Sequence, residues 1–223
     1  MIKLSKRLLT IASFVRSDAK IVDVGCDHAL LDIYLVYHNP NLKAIAVEVR
    51  QGALNQANQN IVKYNMEKKI DLRLGDGLDT VAKDEMDTII ISGLGCATII
   101  EILTKNKNKL VSVSDLIVQS NTDNYNLRKT ICALGFFIAH EKLVKESGKI
   151  YLIVHFQRGK KKYSRADYIY GPILRVEKNA LYKEFLNEEI KKKEILYSLI
   201  PQKYFLKRQR VKINILKLKN RIK

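Results

Sequence analysis

Between Lys20 and Gln157, short runs rich in Ile, Val and Leu alternate with longer stretches of helical periodicity, and that alternation leaves few folds open. KIVDV (20–24), KAIAVEV (43–49), IDLRL (70–74), DTIIIS (87–92), DLIVQS (115–120), FFIAHEKLV (136–144) and KIYLIVHF (149–156) predict seven strands. ALNQANQNIVKYN (53–65) and ATIIEILTKN (97–106) predict helices between the early ones. Strands joined through helices must lie parallel, with helices on both faces of the sheet. The last two strands are joined by the polar turn KESGK, which is too short for a crossover helix, so this pair is expected to be antiparallel.

After Gln157 the character changes. RGKKKYSR reads as a solvated basic link, which sets the expected domain boundary at residues 159/160. The remainder predicts two helices separated near Pro201, since proline removes a backbone donor and disfavours helix in the preceding residue. Tyr204, Val211, Ile215, Leu218 and Ile222 follow one another at coiled-coil spacing. Leu174, Leu181, Phe185, Ile190, Leu196 and Leu199 offer a less regular partner row, so an antiparallel helical hairpin is expected for residues 160–223.

Charge separates the two parts. Of the net +17, residues 1–157 carry +3 and residues 158–223 carry +14, with no acidic residue after Glu194. A soluble helix normally mixes its signs, so an all-basic arm points to a polyanion, nucleic acid ahead of an anionic membrane surface. Lys203, Lys207, Arg208, Arg210, Lys212, Lys217 and Lys219 are the expected phosphate contacts, the plainer alternative being a solubilising tail.

No run of 18 apolar residues occurs, and MIKLSKRLLTIASFV carries charges inside its apolar pattern, as an amphipathic helix does and a signal peptide does not. Cys26, Cys96 and Cys132 are scattered singly, which suits reduced thiols and argues against a zinc site. A cytoplasmic protein with no metal, acting as a monomer and away from membranes, is expected.

In an open parallel sheet, ligands collect beyond the carboxyl ends of the strands, where the strand order reverses. The stretch KIVDVGCDHALLDIYL (20–35) ends the first strand there. Gly25 admits a ligand close to the backbone, and a helix starting near Ala29 aims its amides back at the same place. Asp27 and His28 stand where a dinucleotide fingerprint would have further glycines. Asp27 would repel a pyrophosphate but suits a cofactor with an ammonium and a sulfonium, which directs the reading to S-adenosylmethionine. Glu48 ends the second strand, where a carboxylate accepts ribose hydroxyls, and Asp76 in GDGL suits an adenine amino group, although GDG is also a good turn. With their neighbours, the expected cofactor contacts are Asp23, Gly25, Cys26, Asp27, Glu48, Val49, Gly75, Asp76, Gly77, Ser92 and Gly93. Cys96 is expected to pack as a small residue.

A mostly parallel sheet closed by an antiparallel hairpin is the arrangement of Rossmann-like class I methyltransferases. DVGCDHALLDI, ISGLGCATII, LIVQSN, KIYLIV and YIYGPIL before a basic helical hairpin together resemble the bacterial tRNA adenine-22 N1-methyltransferase family, from about Leu4 to the C-terminus. The resemblance implies a Rossmann-like methyltransferase domain with a C-terminal coiled coil, and methyl transfer from S-adenosylmethionine to N1 of an adenine in the tRNA D-arm region. Leu30 stands where the family often has an aromatic residue, Asp32 replaces a common proline, Cys96 a glycine and Ser120 a proline. In that reaction Asp27 is expected to stabilise the methylated base and accept its proton, with His28 orienting it. Asp27 reads equally well as a helix N-cap. Gln119 and Asn121 are expected to read the adenine edge. Two other functions fit the residues: a methyltransferase acting on rRNA or a small molecule, and an RNA-binding protein with a decayed cofactor fold.

Overall fold

The structure, a computed structural model, describes residues 2–222, the side chain of Ile222 excepted. The chain divides into two compact units, the first ending at Ile173 and the second beginning at Leu174.

The first unit is built on β1 (Lys20–Val24), β2 (Lys43–Glu48), β3 (Ile70–Leu74), β4 (Thr88–Leu94), β5 (Asp115–Ser120), β6 (Phe136–Glu146) and β7 (Lys149–Arg158). All seven runs read from the sequence are strands. Their order in the sheet is β3-β2-β1-β4-β5-β7-β6, and it reverses between β1 and β4. The first five strands are parallel; β7 inserts antiparallel between β5 and β6. The β6–β7 turn succeeds because Ser147 and Gly148 both take positive φ, 48° and 75°, as a tight hairpin turn with the twist of its strands requires.

Central strands are covered on both faces and therefore read as continuous apolar runs. Ile21, Val22, Ile89, Ile90, Ile91, Leu116, Ile117 and Val118 are wholly buried. The cover comes from α1 (Lys6–Ala12), α2 (Leu30–His38), α3 (Gln51–Lys63), α4 (Cys96–Lys105) and α5 (Asn124–Ala133). α1 starts at Ser5, whose hydroxyl accepts from the Leu8 amide, and it packs on the β6–β7 edge.

The basic link does not leave the first unit at Gly159. The Tyr163 hydroxyl accepts from the Ile138 amide at 2.9 Å, and Ser164 and Asp167 form a capping box that starts α6 (Arg165–Tyr170). The buried Arg128 donates to the Tyr168 carbonyl at 3.0 Å, and the buried Glu141 accepts from the Ile173 amide at 3.0 Å. These anchors lie within residues 160–173, so the boundary falls 14 residues beyond the expected one.

The second unit holds α7 (Leu174–Glu177), α8 (Ala180–Leu199) and α9 (Phe205–Ile222). Lys178 at φ 44° and the Asn179 cap interrupt what the sequence suggested was one helix. Pro201 lies in the link before α9. Buried residues on α8 are Tyr182, Leu186 and the expected Ile190; the first two lie one position from the expected Leu181 and Phe185, and the expected Leu196 and Leu199 are exposed. Of the α9 row, Ile215 and Leu218 are buried, whereas Tyr204 is 53% exposed.

Candidate active site

At the carboxyl end of β1 the backbone alternates through three left-handed residues: Gly25 (φ 77°), Asp27 (φ 52°) and Ala29 (φ 53°). Gly25 takes such a conformation freely, but Ala29 does so at a cost, and backbone held this way is characteristic of working sites. Hydrogen bonds from neighbouring β2 hold the turn. The Gly25 and Cys26 amides donate to the Val47 carbonyl at 2.8 and 3.1 Å, and the Asp27 amide donates to Glu48 Oε2 at 3.2 Å. Glu48, only 3% exposed, also accepts from the Arg50 amide at 3.0 Å and Arg50 Nε at 3.3 Å.

Asp27 does not cap α2. The N-cap is Ala29, which has no side chain to offer, and the Asp27 carboxylate lies instead 3.5 Å from His28 Nε2 and 3.4 Å from Arg50 Nη2. Asp27 and His28 are both more than half exposed, at 57% and 52% of their side chains. The α2 amides are therefore left for water or a ligand.

The ends of β3 and β2 meet: the Gly75 amide donates to the Glu48 carbonyl at 3.0 Å. A side chain at Gly77, which has φ 60°, would press into Ile102 at 2.9 Å, so only glycine lets the GDG turn lie against α4. Asp76 is exposed beside it, and Val49 and Leu74 are apolar residues left 59% and 50% exposed at these strand ends.

A second cluster lies across the switch point, on β4 and β5. Gln119 Oε1 accepts from Arg7 Nη1 at 2.7 Å, the Gly93 amide at 3.1 Å and the Ser92 hydroxyl at 3.3 Å. Its Nε2 donates to Asn121 Oδ1 at 3.0 Å, and Asn121 Nδ2 donates to the Gly93 carbonyl at 2.7 Å. Gly93 sits at a β-bulge with φ 85°, which turns Ser92 and Leu94 to their places. Arg7, from the N-terminal helix, also lies over the Tyr151 ring at 5.3 Å.

The structure thus joins Asp23, Gly25, Cys26, Asp27, Glu48 and Gly75 around one turn, and Ser92 and Gly93 around Gln119 on the neighbouring strands. Sequence reasoning missed Arg7 and Arg50. Arg7 left no local signal, because only the docking of α1 brings it there; Arg50 stood two residues from Glu48 and was open to discovery. Burial pushes the thiols of Cys26 and Cys96 up, so neither is a ready nucleophile. Among the described residues, no group of three or more His, Cys, Asp or Glu side chains has the arrangement of a metal site, and no helix is long and apolar enough to cross a membrane.

In the second unit Lys203, Lys207, Arg210, Lys212, Lys217 and Lys219 are exposed. Arg208 is otherwise engaged: it donates to the carbonyls of Tyr197 at 3.2 Å and Ile200 at 2.6 Å and stacks 4.2 Å over the Tyr197 ring. It clasps the helix link. Lys219 pairs with Glu194 at 2.8 Å.

A family model described as tRNA (adenine(22)-N(1))-methyltransferase matches residues 21–220. The chain belongs to this family. The tRNA (adenine(22)-N(1))-methyltransferase of Bacillus subtilis strain 168 is 32% identical over 207 residues, covering 90% of this chain and 87% of that relative. The crystal structure of a Streptococcus pneumoniae protein described as a tRNA (m1A22) methyltransferase, in complex with S-adenosyl-L-methionine, superposes with a TM-score of 0.91 at 33% identity, covering 99% of this chain and 100% of that one. The Mycoplasma capricolum family member, in complex with S-adenosyl-homocysteine, gives a TM-score of 0.86 at 30% identity over 98% and 97% of the two chains. In family terms, the seven-stranded sheet is the methyltransferase scaffold, and the left-handed turn lies at its switch point.

Proposed function

We infer that this chain transfers a methyl group from S-adenosylmethionine to N1 of adenine 22 in tRNA. The observation that carries the reading is the turn Gly25–Ala29 clasped to Glu48 at the switch point of a family scaffold. The residues present fit the cofactor: carboxylates at three adjacent strand ends suit an ammonium, ribose hydroxyls and an adenine amino group. Exposed Val49 and Leu74 suit the faces of an adenine ring. Asp23, Gly25, Cys26 and Asp27 would hold the methionine end, Glu48 and Val49 the ribose side, Gly75, Asp76 and Gly77 the adenine, and Ser92 and Gly93 the side from which the methyl leaves. When bound, the cofactor supplies an electrophilic methyl group.

Adenine N1 carries its own lone pair, so the chain need provide no covalent nucleophile; orientation supplies much of the rate. Because N1 is hidden in a Watson–Crick pair, the target base must be unpaired or flipped out. The base becomes cationic as its N1–methyl bond forms. Asp27 stabilises that charge and takes the N6 proton, with His28 and Arg50 holding its carboxylate. Asp27→Asn tolerates the left-handed backbone and removes only the charge. It is expected to lower kcat by roughly 10²-fold or more, a larger effect than on KM for S-adenosylmethionine, while KM for tRNA stays within a few-fold. Steady-state kinetics check this, and a kcat near the parent's would reduce Asp27 to a residue of the cofactor shell.

Asn121 is held in one sense, because the Gly93 carbonyl can only accept and Gln119 Nε2 can only donate. Its amide keeps one acceptor and one donor position to offer the N6–H and N7 of adenine, leaving N1 clear. tRNA with 7-deazaadenine at the target should be methylated several-fold more slowly by the parent but no more slowly than normal tRNA by Asn121→Ala. Equal losses in both proteins would remove Asn121 from base reading.

Phosphates are tracked by Lys203, Lys207, Arg210, Lys212, Lys217 and Lys219, with exposed Tyr204 and Phe205 among them available for stacking. We propose a cytoplasmic monomer, and sedimentation as a dimer at working concentrations would contradict the monomer. A small-molecule or rRNA substrate is the alternative, and product mapping on tRNA decides between them.

A further inference from the structure

Behind the cofactor turn lies a carboxyl group that the reaction does not use. Asp32, in the first turn of α2, has no accessible surface, and among the described residues neither of its side-chain oxygens has a hydrogen-bond donor other than the nearby amide of Asp32 itself. Asp23 on β1 faces it within hydrogen-bonding reach and retains 5% exposure. Asp23 therefore stands between the site and a fully enclosed second carboxyl. Two buried carboxyls in contact cannot both ionise readily; a shared proton turns their repulsion into a hydrogen bond.

We propose that Asp32 is a positioning residue for the cofactor: protonated, it donates to the Asp23 carboxylate and aims that group at the cofactor's ammonium, while the burial of Asp23 makes cofactor binding proton-linked. This rests on the placement of the methionine end beside Asp23 inferred above. Burial, which outweighs the contacts that favour ionisation, pushes Asp23 up to about 7, and burial followed by the Asp23 charge pushes Asp32 well above the ordinary carboxylate range. The other charged or titratable groups acting on Asp23 are Arg7 of α1, which favours its ionisation, and Glu48 of β2, which opposes it; the Cys26 thiol feels both aspartates and stays neutral.

The sign follows from linkage. Without cofactor, the fold favours the protonated pair, so that contribution to stability is present at acid pH and is lost as pH rises through about 7. A bound ammonium reverses the preference by stabilising ionised Asp23. Binding must then expel up to one proton at pH values below about 7, and affinity must rise with pH by up to about tenfold per unit there.

The test is calorimetric titration of the full-length protein with S-adenosylhomocysteine, which carries the same ammonium, from pH 6 to 8.5 in buffers of different ionisation enthalpy. The parent should release a substantial fraction of one proton near pH 6.5 and bind several-fold more weakly at pH 6 than at pH 8. The proton expelled is that of Asp23, so Asp32→Asn, whose amide keeps the donated hydrogen bond, should retain the parent's affinity within a few-fold, its slope and its proton count. Asp32→Leu, which has no donor, should bind more weakly than Asp32→Asn across the range. An Asp32→Leu protein that binds as tightly as Asp32→Asn would overturn the proposal, as would a parent that binds without releasing protons. If Asp23→Asn, folded by thermal melting, bound the ligand as the parent does, the cofactor placement itself would fall; loss of binding there beside a flat parent profile would sink the Asp32 proposal alone.

Discussion

Ending the chain after Ile173 is expected to abolish tRNA methylation while leaving a folded domain that binds S-adenosylmethionine. Every residue proposed for the cofactor lies in the first unit, whose sheet, helices and anchored link end at Ile173. Truncation at Gly159 would be a poorer test, because it removes the Tyr163 and Ile173 anchors and leaves buried Arg128 and Glu141 short of partners. The lost segment contains most of the net positive charge and the six exposed cations of α9 and its link. In the intact protein, the logarithm of tRNA affinity should fall linearly with the logarithm of salt, by roughly 0.7 to 0.9 per phosphate contacted. Replacing Lys207, Arg210 and Lys212 by glutamine should flatten that slope. Arg208 is left out of the set because its loss would loosen the clasp on Tyr197 and Ile200. A truncated protein that methylates tRNA as well as the full chain does would leave the second unit no part in substrate binding.

Glu48→Ala is expected to weaken S-adenosylmethionine binding by at least tenfold and tRNA binding by far less. Two charge-assisted hydrogen bonds to ribose hydroxyls are worth roughly 1.5 to 3 kcal/mol each before water compensates. The same change also strips the acceptor from the Asp27 amide, so it frees a left-handed turn that the cofactor needs formed in advance. Glu48→Gln separates the two effects. Its carbonyl still holds the Asp27 amide while its NH2 replaces the acceptor of the Arg50 donors, so affinity lost in the glutamine variant reports the charge and the Arg50 contacts, and the further loss in alanine reports the turn. Calorimetry measures both, and unchanged affinity in a folded Glu48→Ala protein would contradict the assignment.

The strands were legible because β1, β4 and β5 are covered on both faces and so carry unbroken Ile/Val runs that a polar helix surface interrupts. The acidic strand ends were legible for a related reason: Asp23 and Glu48 are charges inside apolar runs, which only a site or a partner explains. What escaped notice depends on contacts distant in sequence. Arg7 looks like one cation of an amphipathic helix until α1 docks on β6 and β7 and lays it against Gln119. RGKKKYSR looks solvated because it is held by a tyrosine hydroxyl and the backbone anchors follow it, at Tyr168 and Ile173, where composition does not reveal them. On α8 the expected Ile190 is buried, but Tyr182 and Leu186 are buried in place of Leu181 and Phe185, because the packed face of the helix lies one residue further along there. Asp32 was noticed only as a departure from the family; its meaning as the partner of Asp23 required the α2–β1 packing.

Incubating the protein with unmodified tRNA and methyl-labelled S-adenosylmethionine, then digesting the RNA and mapping the labelled nucleoside, tests the central claim most directly. The account predicts label in N1-methyladenosine at position 22 and none when that adenine is replaced by guanine. Label on another nucleoside or at another position, or transfer to rRNA or a small molecule in preference to tRNA, would contradict it.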